Sequence, residues 1–448
     1  MNKSGAKEPK DDSQVKKEGP VQSVKGMRDL LSDEFFSLEG FFEKASEIAL
    51  YYGFQPIQTP LIEREEAFLR TVGEYTDIVQ KETYTFRTKG GDRLILRPEG
   101  TAGVMRAYIE HGMHTLPQPV MLFYYGPFFR HENPQRGRQR QFQQFGIEVL
   151  GIDKSVADAI TIRVLLTILE EAGLKDIIVE INSLGDKECR SQYKKALYAY
   201  FKRHIGKLSA NEKELLKNNP LRLLDSKNPD IIPLKEKAPE AMDYLTGASK
   251  EHFKEVLEYL DTLKIPFRIN SNLVRGLDYY SQTVFEFVLE KEEETEKGKE
   301  SVRIELGGGG RYDYLAKMLG AKKDIPSVGG ALGVSRIISL GYGTHLKPRI
   351  LKKPRVFFIQ LGFEAKLQSL GVIEILRKAK LPVRQSLSKD GLSVQLGIAE
   401  RLKISWVLIL GQKEVLEESI IVRNMEDRSQ QTVKIADLAD YIKKVIAK

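Results

Sequence analysis

The stretch FRHENPQRGRQRQFQQFGIEVLG, residues 129–151, decides the fold prediction for this chain. Two segments rich in β-forming residues flank a loop that carries several arginines and a single acid, Glu132. Because side chains alternate between the two faces of a strand, Phe142, Gln144 and Glu148 share one face of the second segment. A glutamine and a glutamate are costly to bury without partners. This face therefore predicts either the floor of a polar pocket or the solvated side of an antiparallel sheet.

Length, charge and cysteine content narrow the class of protein. With 448 residues the chain is too long for one ordinary domain, and its hydrophobic fraction of 41% is near the globular average. No apolar run reaches the length of a membrane span, and the N-terminus lacks the apolar core of a secretory signal. The single cysteine, Cys189, excludes an internal disulfide framework and predicts a reducing, cytoplasmic location. The net charge of +8 favours a polyanionic partner only weakly, and the six histidines are too scattered for a zinc site.

Changes of composition along the chain predict its domains. Residues 1–20 hold almost no apolar side chains and are expected to form a disordered tail. Residues 21–350 mix strand and helix patterns, with a lysine-rich helical insertion at about 187–262 and a charged hairpin loop at 291–300. Residues 351–448 show a β-α-β-α-β series, typical of a separate open α/β domain. The last 95 residues hold 16 Lys and Arg against 11 Asp and Glu, so more than half of the net charge lies there.

Three further segments place chemistry-bearing residues beside predicted strands. LVRGLDYYSQTVFEF, residues 273–287, sets an arginine, an aspartate and two tyrosines before a strand. LGGGGRYDYL, 306–315, is predicted to leave a strand and enter a helix near Tyr312, so that glycine N–H groups could approach a ligand. SVGGALGVSRIISL, 327–340, places Arg336 one turn into a helix. On the residues alone, each segment also fits an ordinary turn, core or surface role.

Taken in order with RPEGTAG at 97–103, these segments resemble class II aminoacyl-tRNA synthetases, and specifically the histidyl enzymes. The resemblance extends from Gly26 to the C-terminus. Residues 57–86 are similar to the family's first motif, which implies a homodimer, while FRHENPQRGRQRQF and GALGVSRI are similar to its second and third motifs. LVRGLDYY and GGGGRYD resemble the two signatures peculiar to histidyl enzymes. The family implies an α+β fold: a catalytic domain built on an antiparallel sheet with a helical insertion, followed by an α/β anticodon-binding domain.

Three positions depart from the family's pattern. Gln143 stands where the family usually has histidine, on the strand face opposite the pocket residues. Ser335 replaces the usual glutamate before Arg336, and Tyr314 replaces a common glycine after the GGRYD sequence. These changes bear on the orientation of Arg336 and on the packing of the helix that follows the glycines.

The resemblance implies a reaction in two steps. Histidine and ATP give histidyl-adenylate and pyrophosphate, and the acyl group then passes to the 3′ end of tRNA-His. The implied catalytic residues are Arg130, at the histidine carboxylate and the α-phosphate, and Arg275, which also reaches the α-phosphate. Arg336 is expected at the γ-phosphate and Glu132 at the adenine amino group.

The remaining contacts are implied in the same way. The α-ammonium group of histidine is expected at Glu99, with Thr101 and Gln144 nearby. The imidazole ring is expected among Glu148, Tyr279 and Tyr280, and Arg130 and Arg275 complete the histidine site. The tip of the arginine loop is expected to contact the tRNA acceptor end through Gln135, Arg136 and Arg138. ATP brings Mg2+ held mainly by phosphates and water, so no structural metal is expected in the protein.

Two other functions stay open at this stage. A histidine-sensing, synthetase-like regulatory subunit of histidine biosynthesis would usually lack the anticodon-binding domain and the catalytic arginines, whereas both are present here. A basic RNA-binding module without catalysis would use the arginines only as phosphate contacts and would need no polar pocket. The residues favour the enzyme, with L-histidine, ATP, tRNA-His and a second copy of the chain as partners and no membrane.

Overall fold

The computed structural model describes residues 20–72, 82–132, 139–226, 228–295, 298–349 and 354–446, with the backbone alone over 292–301. The predicted tail up to Gly19 and the loop-tip residues Gln135, Arg136 and Arg138 lie outside the described residues. The chain divides into two compact units, Met1–Pro348 and Arg349–Lys448, which are described separately.

The strands of the first unit form two sheets. In chain order they are β1 (Gln55–Pro56), β2 (Ile62–Arg64), β3 (Thr85–Arg87), β4 (Arg93–Leu96), β5 (Val120–Phe129), β6 (Gln141–Leu150), β7 (Ile177–Ser183), β8 (Phe267–Ile269), β9 (Ser281–Thr295), β10 (Gly298–Arg311) and β11 (Ser327–Gly333). The larger sheet has the order β1-β5-β6-β11-β10-β9-β7-β8, and β2, β4 and β3 form the smaller one. Among the described strands of this unit, only the edge pairs β1–β5 and β7–β8 are parallel. The sheet is thus mixed but mainly antiparallel, as the α+β prediction requires.

Helices cover the sheet and form most of the segment from residue 187 to residue 262. The described helices of this unit are α1 (Ser32–Tyr51), α2 (Glu65–Val72), α3 (Thr101–Glu110), α4 (Val156–Glu171), α5 (Lys187–Arg203), α6 (Ala210–Asn218), α7 (Ile232–Lys235), α8 (Gly247–Thr262), α9 (Leu315–Met318) and α10 (Val334–Ser339). A six-residue 3-10 helix, Pro220–Asp225, follows α6. The main core joins α1, α4 and the sheet through buried side chains such as Phe41 and Leu165.

Strands β5 and β6 flank the segment in which the arginine loop is predicted, of which residues 133–138 lie outside the described residues. They pair antiparallel along their full lengths, from Val120 opposite Leu150 to Phe129 opposite Gln141. Of the odd-numbered side chains of β6, those of Phe145, Ile147 and Val149 enter the main core together with α1 and α4. The even-numbered side chains consequently project to the other face of the sheet, which is the alternation expected from the sequence.

The prediction that residues 291–300 form a hairpin loop is wrong. Strand β9 continues to Thr295 and β10 begins at Gly298, with Lys299 opposite Glu294 in the ladder. Backbone groups of two adjacent strands can satisfy each other whatever side chains they carry, so a charged, solvated sequence does not by itself end a hairpin.

The glycine run also differs from its prediction as a strand-to-helix turn. Gly307–Gly310 lies inside β10 and is paired on both sides, for example with Leu332 opposite Gly307, and the next helix begins only at Leu315. A Cβ at Gly309 would collide with the carbonyl oxygen of Gly329 on the neighbouring strand. At this position glycine therefore serves the close approach of two strands.

The second unit is an open α/β domain with the predicted β-α-β-α-β series. Its strands are β12 (Val356–Gln360), β13 (Val383–Gln385), β14 (Trp406–Leu410), β15 (Ser419–Asn424) and β16 (Gln430–Lys434), and its described helices are α11 (Phe363–Lys378), α12 (Leu392–Arg401), α13 (Gln412–Leu416) and α14 (Leu438–Ile446). The sheet order is β13-β12-β14-β15-β16, with the first three strands parallel. Helices α11 and α12 connect these parallel strands, since parallel strands require a crossover connection rather than a tight turn.

Candidate active site

A cavity of about 410 Å3 lies on the face of the large sheet to which the even-numbered side chains of β6 project. Of the ten predicted site residues that the structure describes, nine line this cavity: Glu99, Thr101, Arg130, Glu132, Gln144, Arg275, Tyr279, Tyr280 and Arg336. Gln143, although it belongs to the opposite face of β6, also contributes to the lining. The fold thus brings together residues from segments that are far apart along the chain.

Glu148 is the predicted site residue that does not line the cavity. It is fully buried, and its carboxyl group accepts hydrogen bonds from the hydroxyls of Thr101 at 2.8 Å, Tyr124 at 3.1 Å and Tyr312. Thr101 and Tyr124 line the cavity themselves, so Glu148 supports its wall from behind. Burial raises the pKa of Glu148 to about 8, and the negative charge of Glu99 adds to this effect while the three hydroxyls oppose it.

Stability should depend on pH through Glu148. Its pKa rises from 4.5 to about 8 on folding, so the folded state binds this proton more tightly than the unfolded state. The resulting stabilisation is complete below about pH 4.5 and is lost as the pH rises through about 8, by at most about 1.4 kcal/mol per pH unit. Thermal unfolding followed by circular dichroism should show Tm falling over this range in the wild type and a flatter profile in Glu148→Gln. Equal slopes for the two proteins would mean that Glu148 does not titrate there.

Glu99 is held at the start of helix α3. Its carboxylate accepts hydrogen bonds from the backbone N–H groups of Thr101 at 2.6 Å and Ala102 at 2.9 Å. The hydroxyl of Tyr279 donates to the same carboxylate at 3.3 Å. Burial raises the pKa of Glu99, although these N–H groups and the positive charge of Arg130 oppose the shift. The sequence PEGTAG produces this geometry because the carboxylate of Glu99, two residues before the first helical residue, can reach the first unpaired N–H groups of the helix.

Arg130 leaves the end of β5 and is fixed on two sides. Its Nε donates to the carbonyl oxygen of Pro98 at 3.0 Å, and its guanidinium lies 5.3 Å from the centre of the Phe142 ring. Glu132 is its ion-pair partner, with 3.8 Å between Nη1 and Oε1. A planar cation held by a ring and a carbonyl has a defined direction, which suits it to recognise a carboxylate or a phosphate.

Arg275 is paired with two acids that sequence reasoning missed. Its Nη1 donates to the carboxylates of Glu286, on β9, and Glu305, on β10, the latter at 3.1 Å. Burial alone would lower the pKa of Arg275, but the two negative charges outweigh burial and raise that pKa. The signal for Glu286 was present in TVFEFVLE, where an acid occupies the face that also carries Val284 and Val288, all three of which are buried.

The positions that depart from the family pattern make specific contacts. The Ser335 hydroxyl accepts a hydrogen bond from the backbone N–H of Gln143 at 2.8 Å, so two of the departures meet at the junction of β6 and α10. Arg336 is oriented by the carbonyl oxygen of Glu305, to which its Nη1 donates at 2.5 Å. The Tyr314 ring lies 4.0 Å from the Nζ of Lys187, at the start of α5.

Two further features bear on the class of protein. Within the described ranges, no group of three or more His, Cys, Asp or Glu residues is arranged to hold a metal ion. Among the helices that the structure describes, none combines the length and the apolar character needed to cross a membrane.

Both units of the chain match known protein families. Residues 26–337 match the sequence model of histidyl-tRNA synthetase, and residues 355–445 match that of an anticodon binding domain. A histidine–tRNA ligase of Dehalococcoides mccartyi is 40% identical over 95% of this chain and 100% of that protein. The corresponding ligase of Aquifex aeolicus is 40% identical over 93% of this chain and 100% of its own length.

Solved structures agree with the sequence comparisons. The apo histidyl-tRNA synthetase of S. aureus superimposes with a TM-score of 0.75 at 29% identity, and the match covers 94% of this chain and 99% of that one. A Bacillus halodurans protein described as an ATP phosphoribosyltransferase regulatory subunit/histidyl-tRNA synthetase shares the fold, with a TM-score of 0.58 at 18% identity over 88% of this chain and 98% of that one. Since the sequence relationship extends over nearly the whole chain and through both units, this chain belongs to the histidyl-tRNA synthetase family.

Proposed function

We propose that the chain activates L-histidine with ATP in the cavity described above and then transfers it to tRNA-His. The observation that carries this proposal is the charge arrangement of the cavity, in which the carboxylate of Glu99 lies in the same space as Arg130, Arg275 and Arg336. A carboxylate complements the ammonium group of an amino acid, while three guanidinium groups complement its carboxylate and the phosphates of a nucleotide. Histidine–tRNA ligation is the activity of the family.

In the first step a carboxylate oxygen of histidine attacks the α-phosphorus of ATP and forms an O–P bond. The bond from the α-phosphorus to the oxygen bridging it to the β-phosphorus breaks, and pyrophosphate leaves. The protein mainly positions the two reactants and stabilises the redistributed charge. Arg130 would hold both the histidine carboxylate and the α-phosphate, Arg275 the α-phosphate, and Arg336 the γ-phosphate. Glu132 would accept from the adenine amino group.

Magnesium would accompany ATP rather than occupy a site built by the protein alone. The two cavity carboxylates nearest Arg275, those of Glu286 and Glu305, are both engaged with that guanidinium. Mg2+ commonly keeps several waters and binds through substrate phosphates, so it would neutralise phosphate charge on the bound nucleotide.

The histidine pocket would be formed by Glu99, Thr101, Gln144, Tyr279 and Tyr280, with Glu148 behind it. A site that pairs with a polar ring rejects apolar analogues, because their binding leaves its buried polar groups unpaired. The described cavity retains all three arginines, and the chain retains the anticodon-binding domain. Both features favour the ligase over a histidine-sensing regulatory subunit.

ATP–pyrophosphate exchange measured with each amino acid in turn tests the proposed function. Exchange should be fast with histidine and negligible with the other amino acids. Phenylalanine and glutamine are the informative controls, since one matches the ring without its nitrogens and the other supplies polar atoms without a ring. Comparable exchange with either of these amino acids would contradict the assignment, and absence of exchange with histidine would return the chain to a regulatory or binding role.

The domain roles, the contacts with tRNA and the formation of a homodimer are proposed from the family match, the charge distribution and the family resemblance. Residues 21–350 would form the catalytic domain, with 187–262 as its insertion, and 351–448 would hold the anticodon. The match at 355–445 and the excess of basic residues near the C-terminus support the anticodon assignment. By family resemblance, Gln135, Arg136 and Arg138 would reach the acceptor end, residues 57–86 would form a homodimer interface, and the enzyme would work in the cytoplasm.

A further inference from the structure

The turn Gly276–Asp278 lies directly between two cavity residues, Arg275 and Tyr279. Three side chains from the helical segment 187–262 bind this turn. Arg222 donates from Nη2 to the carbonyl oxygen of Gly276 at 2.5 Å, and Asn219 donates from Nδ2 to the carboxylate of Asp278 at 2.8 Å. Arg190 donates from Nη2 to the carbonyl oxygen of Asp278 at 3.1 Å.

Two of these contacts, those of Asn219 and Arg190 with Asp278, are partly shielded from water, whereas the contact of Arg222 with Gly276 is exposed. Asn219 is buried, and the side chain of Arg222 is 12% exposed and that of Asp278 25% exposed. The Nε of Arg222 also lies 3.6 Å from the Asp278 carboxylate, so one acid is shared by a guanidinium and an amide. A hydrogen bond to a charged group in such surroundings is stronger and more directional than one at the surface.

Arg275 and Tyr279, which flank the turn, are held by parts of the molecule other than the helical segment. The sheet holds Arg275 through Glu286 and Glu305, and helix α3 holds Tyr279 through Glu99. The segment from Arg275 to Tyr280 is therefore suspended between the sheet and the helical segment. Neither Arg190, Asn219 nor Arg222 lines the described cavity, so Arg190 and Asn219 reach a ligand through the turn. Arg222 acts through the turn and also through the cavity residue Asp225, with 3.5 Å between Nη1 and Oδ2.

We propose that the helical segment 187–262 sets the geometry of histidine activation by binding the Gly276–Asp278 turn through Arg190, Asn219 and Arg222. These three are positioning residues, because they act through Arg275 and Tyr279. The inference rests on the proposed activation of histidine in this cavity, and it gives the helical segment a role in the first step that does not depend on tRNA.

Asn219→Asp tests the contact by replacing a single heavy atom, the donor nitrogen, with oxygen. It places a second carboxylate against Asp278, so the turn should be pushed away from the helical segment. The kcat/KM for histidine in ATP–pyrophosphate exchange should fall by about 10- to 100-fold, through a higher KM, a lower kcat or both. This fall corresponds to losing one hydrogen bond to a charged group. The KM for ATP should change by less than about threefold, because only the α-phosphate contact of Arg275 lies beside the turn, whereas the γ-phosphate and adenine contacts lie on other segments.

The double variant Asn219→Asp/Asp278→Asn exchanges the donor and the acceptor and re-forms the hydrogen bond. It should recover most of the lost activity, which a merely structural role would not predict. Asn218→Asp adds the same charge one residue earlier and should behave as wild type. Tm is measured for all variants, and if Asn219→Asp fails to fold, Asn219→Ser removes the bond without adding charge and should show the same selective effect on histidine.

Normal histidine kinetics in Asn219→Asp, or a double variant no better than the single one, would overturn the inference while leaving the proposed function intact. Wild-type protein that shows no histidine-dependent exchange would instead defeat the proposed function, so the two failures are distinguishable.

Discussion

Replacing Arg275 with alanine should lower the rate of histidyl-adenylate formation by about 100- to 1,000-fold, the usual effect of losing one preorganised donor at a transition state. Arg275 lines the cavity, and Glu286 and Glu305 keep its guanidinium charged and in place. Charge on the α-phosphate changes as the carboxylate attacks, so a fixed cation there acts most strongly at that moment. Histidine affinity should change much less than the adenylation rate. Single-turnover measurement of adenylate formation beside equilibrium histidine binding separates the two quantities.

The structure suggests a control for this experiment that the sequence could not. Removing Arg275 leaves two carboxylates without this cation, although Arg303 also donates to Glu286 at 2.8 Å. Without Arg275 the carboxylates of Glu286 and Glu305 repel each other, and the double variant Arg275→Ala/Glu286→Gln removes this repulsion. Its adenylation should stay slow if the missing cation is the cause of the defect. Arg275→Lys should rescue poorly, because an ammonium group cannot reproduce a planar fork. Near-normal adenylation in Arg275→Ala would exclude a catalytic role, and Arg163→Ala, on the outer face of α4, provides a surface control.

Replacing Glu99 with glutamine should weaken histidine binding by about 100-fold, since truncating one member of a buried, hydrogen-bonded charge pair commonly costs about 2–5 kcal/mol. The amide has nearly the same shape but carries no charge and turns an N–H donor toward the ammonium group of histidine. ATP affinity should change little, because Glu99 is assigned no nucleotide contact. Calorimetric titration with histidine and, separately, with ATP measures both effects.

A ligand without its amino group gives the matched control for Glu99. The wild type should bind imidazole propionate, which is histidine lacking that group, far more weakly than histidine, whereas Glu99→Gln should bind the two alike. Because burial raises the pKa of Glu99, the ionised form that binds ammonium is lost at a higher pH than for an ordinary glutamate. Histidine affinity should therefore fall as the pH drops through that range in the wild type, and this fall should be absent in the variant. Unchanged discrimination between the two ligands in Glu99→Gln would place the ammonium group elsewhere.

Local patterns were sufficient for several features of this protein. Alternation along β6 predicted that Gln144 and Glu148 share a face, because the two-residue period of a strand depends only on backbone geometry. The β-α-β-α-β series of the second unit was equally predictable. Apolar runs of strand length that alternate with segments of helical periodicity fit few folds other than an open α/β domain. The order of the motifs indicated the family.

Other features depended on which segments pack together. The sequence indicated that Glu148 belongs to a polar pocket. Only the packing of the sheet against neighbouring segments shows that Glu148 contacts Thr101 and Tyr124, which line the cavity in its place. The glycines 307–310 suggested a ligand-binding turn and instead lie in a strand whose neighbours approach too closely for a Cβ at Gly309. Composition alone does not distinguish these two uses of glycine.

By itself the sequence determined the paired strands β5 and β6, the residues facing one side of β6, the β-α series of the second unit, and the family. Only the tertiary structure decided the partners of those residues: Arg275 with Glu286 and Glu305, Ser335 with Gln143, and the Gly276–Asp278 turn with the helical segment. The physical reason is that a periodic pattern reports the direction of a side chain relative to its own backbone, whereas a hydrogen bond or an ion pair requires two backbones to be placed within about 3 Å of donor–acceptor distance. That placement is set by the packing of the whole sheet and its helices.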